Sequence, residues 1–147
     1  MLIQTLQTLF RRDLLQLRRE IELYQREENI WRTAASISNS AGNICLHIIG
    51  NLNTYIGAEI GKTNYVRNRE LEFSTEFIPQ QELMIRIDQT LEVVLNSLDL
   101  LDEQDLAKEY PLLVLQEKMS TSFFLIHLST HLSYHLGQIN YHRRLID

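Results

Sequence analysis

From Met1 to Glu28, apolar side chains recur at every third or fourth position: Ile3, Leu6, Phe10, Leu14, Leu17, Ile21 and Tyr24. That period gathers them on one stripe of an α-helix and leaves the opposite face to charged and polar residues. A strand would need alternation by twos, which this run lacks. The pattern returns. Ile44, Ile48, Leu52 and Tyr55 predict a second helix from about Ala41 to Ile60, with Ser38, Asn39 and Ser40 as candidate caps and Gly61 as its stop. Pro79 suits the first turn of a third, carrying Leu83, Ile87, Leu91, Val94, Leu98 and Leu101. Ser120 or Thr121 caps a fourth that runs to the C-terminus. Five Gly and two Pro in 147 residues leave little to interrupt such helices.

The fold class is therefore all-α: one domain, residues 1–147, built as a four-helix bundle. The first connection, "NIWRTAASISNS", is short, which favours antiparallel neighbours. The second contains "KTNYVRNRELEFSTEFI", polar and aperiodic, with Tyr65, Phe73 and Phe77 as aromatic anchors. It is long enough to span the bundle, so the second and third helices can run parallel. "KEYPLLVLQ" reads as an extended piece.

Charge excludes one class of partner. A net charge of −5 offers nothing to a nucleic-acid backbone. The pairs Arg11-Arg12 and Arg18-Arg19 are interleaved with acids, and Arg143-Arg144 ends a helix, where the macrodipole favours cations. No stretch reaches the roughly 18 apolar residues of a membrane span. "MLIQTLQTLFRRD" lacks the basic and small-residue marks of a signal peptide, and the lone Cys45 has no internal disulfide partner. A cytoplasmic location is expected.

"HLSTHLSYHLGQINYHRRL", residues 127–145, holds four of the five histidines; the fifth, His47, stands alone upstream. On a helix, residues four apart project from one face about 6 Å apart along the axis. His131 and His135 can thus grip one ion, and so can His127 and His131. His127 and His135 are about 12 Å apart by the same rise, so one ion cannot take all three. His142, two turns beyond His135, is equally out of reach. A third ligand has to come from another helix, and His47 is the remaining histidine. Asn43, His47 and Asn51 form a polar line beside the apolar stripe of the second helix, which needs polar company. Two readings stay open on the residues alone: a metal site between helices, or histidines packed for structure.

Several site types are excluded. No histidine has Glu three residues before it, as diiron carboxylate bundles require. "HLSYH" has Leu132 where a zincin needs Glu. Cys45, two residues from His47, points to the other side of its helix and reads as a packed core thiol. No phosphate-binding Gly-rich loop and no Gly-x-Ser-x-Gly occur.

"HLSYHLGQ", an isolated histidine on an earlier helix, and four helices in about this length resemble the DinB-like (DinB/YfiT-like) metalloprotein superfamily. "SAGNICLHIIGNLNTYIGAEIG", "NYVRNRELEF" and "HLSYHLGQINYHRRL" are most similar to its DUF1572-type branch. The resemblance covers essentially the whole chain. It implies a bundle of up-down-down-up topology, agreeing with the long second connection, and a metal site of His47, His131 and His135. It implies, too, a metal-dependent transfer of a low-molecular-weight thiol to an electrophile, an S-transferase of detoxification or stress response. Relatives often carry Arg after the second histidine of the pair; this chain has Leu136.

Three neutral imidazoles leave a divalent ion its full charge and open positions, the arrangement of a catalytic site. Asn43, Asn51, Tyr134 and Gln138 are the candidates to orient the ligand rings from behind. Imidazole suits several metals, with nickel or zinc expected. No general base or nucleophile announces itself, so the catalytic residues are not named. The competing expectation is a non-catalytic interaction or metal-binding bundle with a vestigial site. A homodimer is expected, using the long face of the first helix and Trp31 just beyond it.

Overall fold

The computed structural model describes residues 1–147. It is all-helical and contains no strand. Four long helices, α1 (Leu2–Glu22), α2 (Ala41–Leu52), α4 (Gln80–Leu98) and α6 (Thr121–Ile146), are joined by two short ones, α3 (Arg69–Ser74) and α5 (Glu103–Ala107). The apolar stripes do what their period dictates. Phe10, Leu14, Leu17, Ile21, Ile48, Leu83, Ile87, Val94 and Leu98 are almost wholly shielded in one core. Each such side chain stabilises the fold by about 1.5–3 kcal/mol.

Contacts at the helix ends define how the four long helices lie. α1 packs on α4 and α6, and α2 packs on the same two. Gln7, early in α1, donates to Asp99 at the end of α4, while Gln80 at the start of α4 donates to Ile21 at the end of α1. These two helices run antiparallel. Arg143 and Asn140, late in α6, both reach Glu20, late in α1, so α1 and α6 run the same way. Burial alone would raise the Glu20 carboxyl, but those two donors hold it below its ordinary value. Asn53 donates to Thr90, pairing the later half of α2's helical run with the later half of α4.

Helix boundaries depart from the periodic reading where tertiary partners intervene. α1 stops at Glu22, not Glu28, because the Gln80 amide caps the carbonyls of Ile21, Glu22 and Tyr24. The chain then makes a 3₁₀ turn, Glu27–Trp31. Trp31 is not an outward-facing interface residue: its indole donates to the Ile78 carbonyl and packs with Phe77. Ser40 is the cap of α2, accepting from the Asn43 amide. After Leu52 the helical run widens into a π-turn, Asn53–Ala58, before ending. Gly61 is not a left-handed stop. The positive φ falls at Lys62, and Gly61 is small because a Cβ there would press into Ser97 of α4. "KEYPLLVLQ" is not a strand; its only ladder-like contact is an isolated bridge, Glu109 to Ser120. Tyr110 anchors it instead, buried with its hydroxyl donating to the Tyr55 carbonyl. No helix is long and apolar enough to cross a membrane.

Candidate metal centre

His47 projects from the middle of α2, and His131 and His135 from successive turns of α6. The antiparallel contact of these helices, with Tyr55 meeting Phe124 about two turns further along, sets the register that brings the rings together. His131 Nε2 lies 3.3 Å from His47 Nε2 and 3.1 Å from His135 Nε2. The ligand atoms of all three fall within 4.8 Å of one another. An ion about 2.1 Å from each nitrogen, with angles of about 90–110° between ligands, would separate neighbouring nitrogens by about 3.0–3.4 Å. The observed spacing is that of a ligand set.

The other ring nitrogens define the tautomers. His47 Nδ1 faces Glu72 Oε1 at 3.1 Å, and His135 Nδ1 faces Gln138 Oε1 at 2.7 Å. Arg67 Nη2, a donor, also lies 3.3 Å from His47 Nδ1, but the nearer partner of each ring is an acceptor, a carboxylate or an amide carbonyl, which favours the proton on Nδ1 and an Nε2 lone pair toward the cluster. His131 Nε2 faces both of those lone pairs, and can either donate its proton between them or, with the proton on Nδ1, turn a third lone pair toward a shared cation. This donor chemistry fits a divalent metal ion.

Burial disfavours the charged form of the two α6 rings. His131 is pushed down to about 4, first by desolvation and then by the nearby rings of His135, His47 and His127. His135 is lowered too, by desolvation above all, with the Gln138 hydrogen bond opposing. At neutral pH these two rings are bases ready for a metal.

The sequence reading missed the group behind His47. Glu72 comes from α3, inside the connection read as aperiodic. Its carboxylate is buried and gripped by Arg67, whose Nε reaches Oε2 at 2.9 Å and whose Nη2 reaches Oε1 at 3.0 Å. Burial alone would raise the Glu72 carboxyl; the hydrogen bonds from His47 and Arg67 overcome it and hold it below the ordinary carboxylate value. The Arg67 guanidinium also lies over the Tyr55 ring, 5.7 Å from its centroid. Room for all this comes from Gly50, one turn beyond His47. A Cβ at Gly50 would run into the Glu72 carboxylate, with Cδ only 2.7 Å away. A glycine in mid-helix beside the isolated histidine was the one sequence signal of a close approach there.

The remaining candidates separate. Asn43 touches no imidazole; its amide donates to the Glu72 and Thr75 carbonyls and so pins α3 to α2. Asn51 is buried, hydrogen-bonds to none of the three histidines, and its Oδ1 has no partner. Tyr134 is exposed, its ring edge-on to His135 at 5.4 Å between centroids. His127 stacks on Phe124 outside the cluster. His142 is buried elsewhere, with Tyr24 donating to Nδ1 at 2.6 Å and Nε2 donating to the Arg32 carbonyl at 2.7 Å. Cys45 is fully buried, its thiol pushed up to about 12 by desolvation. It is inert. Leu136 packs against the core.

Residues 2–147 match the family described as protein of unknown function (DUF1572). The chain belongs to that family. No curated protein and no solved structure matches it. Family membership thus covers the whole domain, including the segment that supplies Glu72 and Arg67, and leaves activity to be argued from the site.

Proposed function

We propose that this DUF1572 protein is a metal-dependent enzyme that binds one divalent transition-metal ion, nickel or zinc, through His47, His131 and His135. The proposed reaction is the transfer of a small thiol to an electrophile. The observation that carries the reading is the convergence of three Nε2 atoms, two of them with their Nδ1 protons held by Glu72 and Gln138. A divalent ion held by three neutral imidazoles supplies a Lewis acid that favours thiolate at neutral pH.

The protein's own groups do the rest. Glu72 keeps the His47 ring oriented and electron-rich, and Arg67 holds Glu72 in place. Gln138 does the same for His135 from within α6. Phe73 lies against the His47 ring at 5.2 Å and shields that side from water. The helix directions deduced above support an up-down-down-up bundle of the DinB-like type, in which the crossover between α2 and α4 carries α3 over the site. The proposal includes a cytoplasmic location and a homodimer. With Trp31 turned inward, the dimer face falls to exposed apolar residues early in α6, Phe123 and Ile126.

The test is metal analysis of protein purified without a histidine tag, followed by a screen of thiols against electrophiles. About one equivalent of bound ion and metal-dependent thiol consumption are expected. Bound metal without any turnover would favour a non-catalytic metal-binding protein. Failure to bind nickel or zinc at neutral pH would overturn the proposal.

A further inference from the structure

A cavity of about 580 Å³ opens beside the histidines, lined by His47 and His135 and by Arg69, the first residue of α3. Nineteen Asp and Glu residues give the chain its negative charge, yet none of the cavity's lining residues is acidic. Arg69 is exposed and makes neither side-chain hydrogen bond nor ion pair. Its neighbour Arg67 differs sharply: that charge is neutralised by Glu72. The rest of the lining mixes apolar and aromatic side chains, Ile37, Phe73 and Tyr141 among them, with polar ones such as Ser36, Ser38 and Gln138.

We infer that the cavity binds a small anionic molecule, its carboxylate or phosphate paired with Arg69, its carbon skeleton against Phe73 and Tyr141, and its other end directed at the histidine cluster. The physical reasons are charge and shape. An unpaired guanidinium on the cavity wall presents a planar fork of donors that matches either oxyanion. A pocket of this size, with apolar and aromatic surface, several polar groups and one charge, is the form of a small-molecule site. The inference names the substrate class for the proposed enzyme and rests on that reading for the thiol end alone; the anion end stands on Arg69 and the cavity.

The experiment compares 3-mercaptopropionate with its neutral methyl ester by calorimetry, on the zinc-loaded protein and again without metal. The acid is expected to bind tighter than the ester by about tenfold or more, the range of a charge-assisted hydrogen bond. The preference should shrink with added salt. Arg69→Gln should bring the ratio near one with zinc affinity and melting temperature unchanged, and Arg69→Lys should keep part of it. Acetate and inorganic phosphate as competitors identify the oxyanion; competition by either, lost in Arg69→Gln, upholds the inference. A ratio near one in the unmodified protein overturns it, as does a ratio unchanged in Arg69→Gln, which would mean that the acid goes to the ion. Failure of zinc to bind would refute the metal reading only, since the metal-free titration still decides the anion site.

Discussion

Glu72 on α3 accepts a hydrogen bond from His47 on α2 across 3.1 Å, while both side chains are almost entirely shielded from solvent. The pair links a residue from a crossover segment to the helix beneath it. It makes the orientation of one proposed ligand depend on the folding of another segment. Carboxylates in this position raise the basicity of a ligating imidazole and fix its ring.

Removing that carboxylate should weaken metal binding while leaving all three imidazoles in place. Glu72→Ala is expected to lower zinc affinity by about 10–100-fold. A chelator competition assay measures it directly. Unchanged affinity would mean that the His47 ring is held by packing alone.

Gly50→Ala should destabilise the protein, although alanine is ordinarily the better helix former by about 1 kcal/mol. Here the new methyl group would press into the Glu72 carboxylate, which is fixed by Arg67 rather than free to swing away. Overpacking of this kind costs about 1–3 kcal/mol, enough to reverse the sign. Urea denaturation of the metal-free protein reads the stability. Metal affinity should fall with it, because displacing Glu72 unties His47.

Acid should act through the histidines in a defined window. His131 and His135 have folded-state values lowered by burial, His131 to about 4, against about 6.5 for an unfolded histidine. Between those values the unfolded chain binds protons that the folded chain refuses. Stability of the metal-free protein is therefore fully present above about pH 6.5 and falls as pH drops toward 4. Added zinc should raise the melting temperature at pH 7.5, since the ion binds only the folded cluster. Protonation of His131 and His135 should close that gap in acid. The depressed values move the closing below the ordinary histidine range. Melting curves with and without chelator at several pH values check both trends, and His47→Ala should remove most of the gap.

His142 and His131 share a helix but should behave as opposites. His142→Ala breaks hydrogen bonds to Tyr24 and the Arg32 carbonyl and leaves a cavity, so it should cost about 2–4 kcal/mol of stability. Zinc stoichiometry should not change. His131→Ala should abolish zinc binding at micromolar metal and alter the metal-free stability little, because it removes a crowded, half-buried imidazole. Loss of metal in His142→Ala, or in His127→Ala, would show that the wrong histidines were grouped.

What periodicity reaches is local. The stripes of α1, α2, α4 and α6 are written at three- and four-residue spacing, and burying them is the largest favourable term in folding. The four long helices were therefore legible from Ile3 to Ile139, as was the pairing of His131 with His135, which a single helical turn dictates. His47 was reachable by elimination. Ser40 and Ser120 were legible as caps, but the C-terminal helix ends were not. The Gln80 amide cuts α1 short from 58 residues away, and such long-range caps leave no mark near the residue they stop.

Glu72, Arg67, Gly50 and Arg69 acquire their roles only in three dimensions. In the sequence, "RNRELEF" is a polar run with charges of both signs, indistinguishable from a solvated surface turn. Folding lays it over α2, where Gly50 opens a notch, one arginine neutralises the buried carboxylate and the next is left facing the cavity. The chain alone determines which faces are apolar and which side chains can ionise. The docking of α3 decides which of those charges is buried, paired or free, because electrostatic energies depend on distances between segments that sequence spacing does not encode.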